Sequence, residues 1–382
     1  MVGRLVNFKP LKSLLYISSL PENSQTGGAN AVNYHTFKQL QKHFKCTYVQ
    51  INPKESTVAK WKSQFMRKIL KRPGRFNFYS RKRLKLIAKE FEALKGEFDF
   101  VFFRGFTPWV LCKPNVPYLA YNDVHFLQFF QNTFNFSQFL KSDVQRICAQ
   151  EQSWLSDSEL AFFESKWGAT QCSRDYRIDI SKLIALGRGG NIPIPLTDEY
   201  LGDLNLLIIA NNFYQKGGDL VYEAFKKLKS IHENLKLHII GGDPGTEVKN
   251  ENGVFYHGYL YKENNNDMKS LVKILSEAFL LVHVTREDTN PLVITEAAYF
   301  GCPSISLRKF AIPELIVHNK TGILLPSKAN PIDIANAIDS CIINKLEYRA
   351  MRKSTKLYND KMFSWTTIGL EVKNKINQLQ FN

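Results

Sequence analysis

Asp288 and Glu296 are carboxylates eight positions apart in the run TREDTNPLVITEAAYFGCP, which extends from Thr285 to Pro303. One chemistry open to such a pair is acid–base catalysis. The flanking residues decide where the two acids stand. Phe279 to Val284 is a compact apolar run that reads as a buried parallel strand. Arg286 to Asn290 then forms the loop at its carboxyl end, where open α/β sheets bind ligands. Pro291 fits the first turn of the next helix, Leu292 to Phe300, whose free N–H groups favour an anion. Glu296 falls about one turn inside that helix, suited to neutral hydroxyls rather than phosphate. A solvated acidic loop with a surface Glu is the alternative for two isolated carboxylates, and the strand–loop–helix context weighs against it.

Other reactive residues also follow strand-like runs. Asn211, Lys216, Gly217 and Gly218 come directly after the apolar segment Leu204 to Ala210; a Lys there can reach a diphosphate, and the glycines allow close backbone approach. Gly27 and Gly28 open a helical stretch after the strand Leu14 to Ser18. Gly241, Gly242, Asp243 and Gly245 follow the strand Leu235 to Ile240. Tyr121-Asn122-Asp123-Val124-His125 ends another apolar run. Asp123 is open to two readings, hydrogen bonding to or taking a proton from a ligand hydroxyl and capping of the next helix.

These segments alternate β and α in both halves of the 382-residue chain, which predicts an α/β protein with two doubly wound sheets facing across a cleft. The expected segments are 1–190, 191–365 and a terminal helix in 366–382 that packs back on the first. Gly187 to Leu201, rich in Gly and Pro, reads as the linker. Lys9 and Lys12 precede Leu14 to Leu20 as in a signal peptide, but Tyr16, Ser18 and Ser19 interrupt the apolar run, which reads as the first strand. The six cysteines form no C-x-x-C pair, so neither a zinc site nor a disulfide framework is expected, and a reducing cytoplasm is.

The segment around Asp288 and Glu296 resembles the E-x7-E region of the retaining glycosyltransferases of family 4. That resemblance implies a GT-B fold and transfer of a sugar from a nucleotide diphosphate donor to a saccharide or glycolipid hydroxyl, in polysaccharide or glycolipid synthesis. It implies catalytic roles for Asp288, Lys216 and Asp123, and places Gly27, Gly28, Asn211, Lys216, Gly242, Thr289, Asn290, Pro291, Leu292 and Glu296 at the donor. No metal or other cofactor is expected. Glu164 to Trp167, Tyr176, Lys182, Gly190 and Asn191 also follow the family pattern, as marks of kinship rather than chemistry. The departures are Asp288 in place of Glu, with Glu287 a competitor, Asn211 where Arg is frequent, and Phe310-Ala311 where Gly-Gly is frequent. An epimerase on the same fold and a catalytically silent binding homologue are the alternatives.

The formal charge is +16, and Lys60 to Lys89 holds twelve basic residues with no Asp or Glu. Trp61, Phe65, Met66, Ile69 and Leu70 recur among them at near-helical spacing, as an interfacial helix requires. Three readings stand: an anionic membrane surface or lipid-linked acceptor, a solvated face, and, well behind, nucleic acid, which is not expected as a partner. The expected location is cytoplasmic, peripheral at the inner face of a membrane.

Overall fold

The computed structural model describes residues 11–25 and 27–379; Lys9, Thr26 and the extreme ends of the expected segments lie outside the described residues. Two parallel six-stranded sheets form. The first has the order β2-β1-β3-β4-β5-β6, from β1 (Ser13–Ser18), β2 (Lys45–Gln50), β3 (Phe100–Arg104), β4 (Tyr118–Asn122), β5 (Leu160–Phe163) and β6 (Leu183–Ala185). The second has the order β12-β11-β10-β7-β8-β9, from β7 (Asn205–Ala210), β8 (Lys236–Gly241), β9 (Val254–Gly258), β10 (Leu280–His283), β11 (Ser304–Leu307) and β12 (Gly322–Leu325).

Central parallel strands are covered on both faces by helices, so they read as unbroken apolar runs. Every residue of β3, β5 and β10 is buried. Aromatic rings fill the first sheet's core: Tyr16, Phe102 and Phe162 stack in succession at 5.5 and 6.1 Å. In the second sheet β7 starts the sequence, β8 and β9 add on one side, and the chain then crosses to lay β10 on the other. The carboxyl ends of β7 and β10 therefore flank the point where strand order reverses, the place where such sheets leave a crevice. Lys216 follows β7 and Asp288 follows β10.

Three glycines and a tryptophan govern how the two sheets meet. Gly189 and Gly190 cross from the first sheet to the second with no room for a side chain: a Cβ on Gly189 would stand 2.5 Å from the Trp365 ring, and one on Gly190 2.7 Å from Tyr299 and 2.8 Å from Glu296. Trp365 begins the helix Trp365–Gln378, whose Nε1 donates to the Gly190 carbonyl at 2.9 Å. That helix lies on the first-domain helix Gly27–Leu40, where Gly369 presses against Gln39.

The basic stretch is not one helix. Helix Thr57–Lys68 ends at Ile69, and a second helix begins only at Arg81 and runs to Glu92. The break is fixed by Gly74 seated on Ser63, whose Oγ donates to the Arg75 carbonyl at 2.7 Å. Trp61 is 70% and Ile69 65% exposed, and the Trp61 and Phe65 rings stack on the outer face. Arg83 departs from the solvated set. It is buried, donating to the Pro53 and Phe78 carbonyls and to Asn52. Among the described residues no helix is long and apolar enough to cross a membrane.

Gly190→Ala should lower stability by about 1–3 kcal/mol, the usual cost of overpacking, because Tyr299 and Glu296 are both held in place. The midpoint of urea unfolding checks this, with Gly28→Ala as the control for an added methyl in open space.

Candidate active site

Lys216 and Asp288 meet across the crevice at 2.7 Å. Burial alone would raise the Asp288 carboxyl, but His283 and the Lys216 ammonium outweigh it and hold the group well below the usual carboxylate range. His283 Nε2 stands 3.8 Å from the same oxygen, close enough for attraction and too far for a hydrogen bond. Asp288 is thus an anion whose partner, Lys216, stays partly solvent-accessible. Glu287 is exposed and lines the same cleft. Arg286 is turned aside by a bidentate pair with Asp219 at 2.9 and 2.8 Å.

The glycines beside Lys216 answer a packing demand. Gly217 has φ +77°, and a Cβ there would lie 2.3 Å from the Val284 carbonyl, while one on Gly218 would enter the Phe213 ring. They let the β7 loop close onto β10, which brings Lys216 to Asp288. Gly242 serves the neighbouring loop in the same way, since a Cβ there would lie 2.5 Å from the Asn211 carbonyl. Asn211 itself is exposed. Gly27 and Gly28 have open space where a Cβ would be, so the backbone at the first helix start is free to be approached.

Glu296 is 2% exposed, deeper than a residue that simply lines a cleft. Its Oε1 accepts the Asn191 N–H at 2.9 Å and a short contact from Lys262 Nζ. Asn191 then reaches the other way: Nδ2 donates to the Gln25 carbonyl at 3.1 Å and Oδ1 faces His35 Nε2 at 2.9 Å. A residue that the sequence marked only as kinship joins the Gly27 loop to Glu296. Removing the Glu296 carboxylate outright would strand a buried N–H, at a cost of about 1–3 kcal/mol.

From the first domain, Asp123 Oδ2 accepts the Thr289 hydroxyl at 3.3 Å, so the two domains touch at the site. Its Oδ1 is buried with no partner. Burial, then the nearby Glu164 carboxylate, push Asp123 up to about 7, against the opposing pull of Arg188. Glu164 is itself clamped between Arg104 at 3.0 Å and Arg188 at 2.9 Å. His125 is buried and paired with Asp175 at 3.1 Å, outside this cluster. Asn290 is 2% exposed, and its Nδ2 donates to the Glu164 carbonyl at 3.3 Å. Pro291 stands at the N-terminal boundary of helix Leu292–Tyr299.

Phe310 and Ala311 lie where the two domains touch, and the Ala311 N–H donates to the Thr289 carbonyl at 3.0 Å. Phe310 adopts φ +51°, a left-handed geometry that costs a non-glycine residue about 1–2 kcal/mol. Its ring meets Trp167 of the first domain edge-on at 5.5 Å. Glu314 then accepts the Lys166 and Trp167 N–H groups at 2.7 and 2.6 Å, capping a first-domain helix from the second domain. Trp167 is half-buried at this contact rather than in a core. Arg188 and Lys262 carry no motif, because each gains its place through a partner on another element.

A crevice at a strand reversal, a lysine–aspartate pair at its mouth and a buried glutamate inside the following helix all fall within residues 197–358, the segment that matches the glycosyl transferases group 1 family. The chain is similar to the amylovoran biosynthesis glycosyltransferase AmsK of Erwinia amylovora, 29% identical over 200 residues, which is 49% of this chain and 46% of that protein; the chain thus matches less than half of that relative's length. Among solved structures, sucrose-phosphate synthase from Thermosynechococcus elongatus aligns over 96% of this chain and 98% of its own, with TM-score 0.70 and 15% identity. Anabaena Alr3699/HepE, solved in complex with UDP, aligns over 96% and 100%, with TM-score 0.66 and 14% identity. At such identities the likeness concerns the fold, and the two-sheet architecture is GT-B.

Asp123 yields a signed test. Its folded-state pKa lies above the ordinary 3.8, so the stability carried by the protonated carboxyl is complete at low pH and is lost as pH rises from about 4 through about 7. Asp123→Asn cannot ionise, and should gain stability relative to wild type across that window. Urea midpoints between pH 4 and pH 8 measure the difference, and a flat difference would contradict the assignment.

Proposed function

We propose that the protein is a retaining glycosyltransferase, of the family 4 type, that moves a sugar from a nucleotide diphosphate donor to a hydroxyl of a saccharide or glycolipid, in polysaccharide or glycolipid synthesis. The observation that carries the reading is the Lys216–Asp288 pair at the strand-reversal crevice, beside the start of helix Leu292–Tyr299. In this reading the bond from the sugar's anomeric carbon to the diphosphate oxygen breaks, and its electron pair leaves with the diphosphate. An acceptor hydroxyl oxygen forms the new bond on the same face, and its proton passes to Asp123. Lys216 and the helix N-terminus, with Thr289 to Leu292 around it, stabilise the departing charge. Asp288 orients the sugar, Glu296 receives the ribose hydroxyls, and Gly27, Gly28, Asn211 and Gly242 lie along the donor. No metal is required, because lysine and helix dipole supply the positive potential.

The likeness to AmsK supports a saccharide acceptor, and UDP in the HepE structure supports a nucleotide donor. The exposed Trp61 and Phe65 amid basic side chains support peripheral docking on an anionic membrane from the cytoplasmic side.

Lys216→Ala and Glu296→Gln should each slow acceptor-dependent nucleotide release by on the order of 10²-fold, measured in EDTA; the Gln variant keeps an acceptor for Asn191. Asp288→Asn should slow it more than Glu287→Gln, and the reverse ranking would give the sugar to Glu287. Turnover near wild type in the first two variants would remove the reading.

For the membrane, flotation with anionic vesicles at low salt should carry wild type upward, and replacing Arg81, Lys82 and Lys85 with Gln should release it. Arg83 is left intact because it holds three internal bonds. Equal flotation with neutral vesicles would contradict an electrostatic attachment.

A further inference from the structure

A cavity of about 390 Å³ lies in the cleft in front of Lys216, within the ~300–1,000 Å³ range of small-molecule sites. Its first-domain wall comes mainly from one short helix, Phe126–Thr133. That helix is firmly seated: Glu151 accepts the Phe126 N–H at 2.6 Å, and Phe126 and Phe130 pack edge-on against Phe76. Phe129 sits at the margin of this packing, meeting the Phe134 ring edge-on at 5.8 Å, and remains 40% exposed, lining the cavity. Asn132 is three residues on, hence on the same helix face. Gln128 Nε2 donates to its Oδ1 at 3.0 Å, which leaves Nδ2, buried, with no acceptor. Asp123, on the same wall, has the unpartnered buried Oδ1.

An aromatic face, an unused amide donor and an unused carboxylate oxygen make a complementary set. A ring whose C–H groups form an apolar face and whose rim carries hydroxyls satisfies all three. The charges narrow the choice further. Asp123 and Glu287 both line the cavity, and its lysine, Lys216, is already paired with Asp288. We propose that Phe129 and Asn132 form the acceptor subsite, and that the acceptor's terminal unit is a neutral pyranose: its apolar face lies on the Phe129 ring, and its hydroxyls meet Asn132 Nδ2 and the Asp123 carboxyl. A uronate or a phosphate would face the acidic rim unpaired. This assignment rests on the transferase reading for its name as acceptor, but the subsite itself is a binding claim.

Saturation-transfer NMR with methyl hexopyranosides and methyl glucuronide, on wild type, Phe129→Ala and Asn132→Ala, tests it without any turnover. The expected result is binding of a neutral hexoside to wild type, weakened about tenfold in each variant, an affinity loss typical of one lost stacking or hydrogen-bonding partner, with the glucuronide weaker throughout. In transfer assays Phe129→Ala should raise the acceptor KM by a similar factor and leave the donor KM unchanged. Neutral hexosides that do not bind wild type, a glucuronide that binds as well, or variants that bind like wild type would each overturn the subsite. Failure of every nucleotide sugar to react with wild type would instead remove the transferase reading, and the NMR result would still decide the subsite.

Discussion

The hydrogen bond from the Asn191 N–H to the buried Glu296 carboxylate ties the cleft together. It forms only because Gly189 and Gly190 let the crossing backbone press onto Trp365, Tyr299 and Glu296, where any side chain would collide. Tyr299 donates its hydroxyl to the Phe363 carbonyl and accepts the Gly190 N–H at 2.7 Å. One strand of linker is therefore pinned to the second domain's ligand-side helix and, through Asn191, to the Gly27 loop and His35 of the first domain. The two sheets meet in a fixed relation at the one place where both their ligand-side loops converge.

Around that junction the cleft is built from opposed charges held at different cost. Glu164 is buried but doubly paired, its two oxygens held by Arg104 and Arg188. Asp123 stands beside it with one hydroxyl for company, and burial and the Glu164 carboxylate raise its proton affinity. Asp288 has a lysine and stays ionised. Two acids of the same type face each other across the cleft with opposite proton affinities, an arrangement suited to orienting a sugar on one side and receiving a proton on the other.

Much of this was legible in the sequence, for identifiable reasons. Buried parallel strands leave unbroken apolar runs, so the strand before Asp288, the strand before Lys216 and the helix holding Glu296 could be placed, and with them the pairing of two loops at one sheet edge. Short strands did not declare themselves: Leu160–Phe163 follows a long helix closely, and Gly322–Leu325 is only four residues. Cross-element partners were also out of reach. Nothing local distinguishes Lys262 or Arg188 from surface charges, and Asn191 gains its importance from residues 166 positions before and 105 after it. The glycines after Lys216 were legible as necessary, but their packing against Val284 and Phe213 was not. In the basic stretch, charge was visible but not the burial that makes Arg83 an internal strut.

The central claim is that the cleft receives a nucleotide diphosphate sugar through its diphosphate. Thermal unfolding of the wild-type protein with a panel of nucleotide diphosphate sugars, the matching nucleoside monophosphates and the free sugars tests it most directly, since a ligand that binds only the folded state raises Tm. The account predicts that at least one nucleotide diphosphate sugar raises Tm and that its monophosphate, lacking the group that faces Lys216 and the helix N-terminus, raises it much less. No shift with any member of the panel, or equal shifts with the monophosphate, would contradict it.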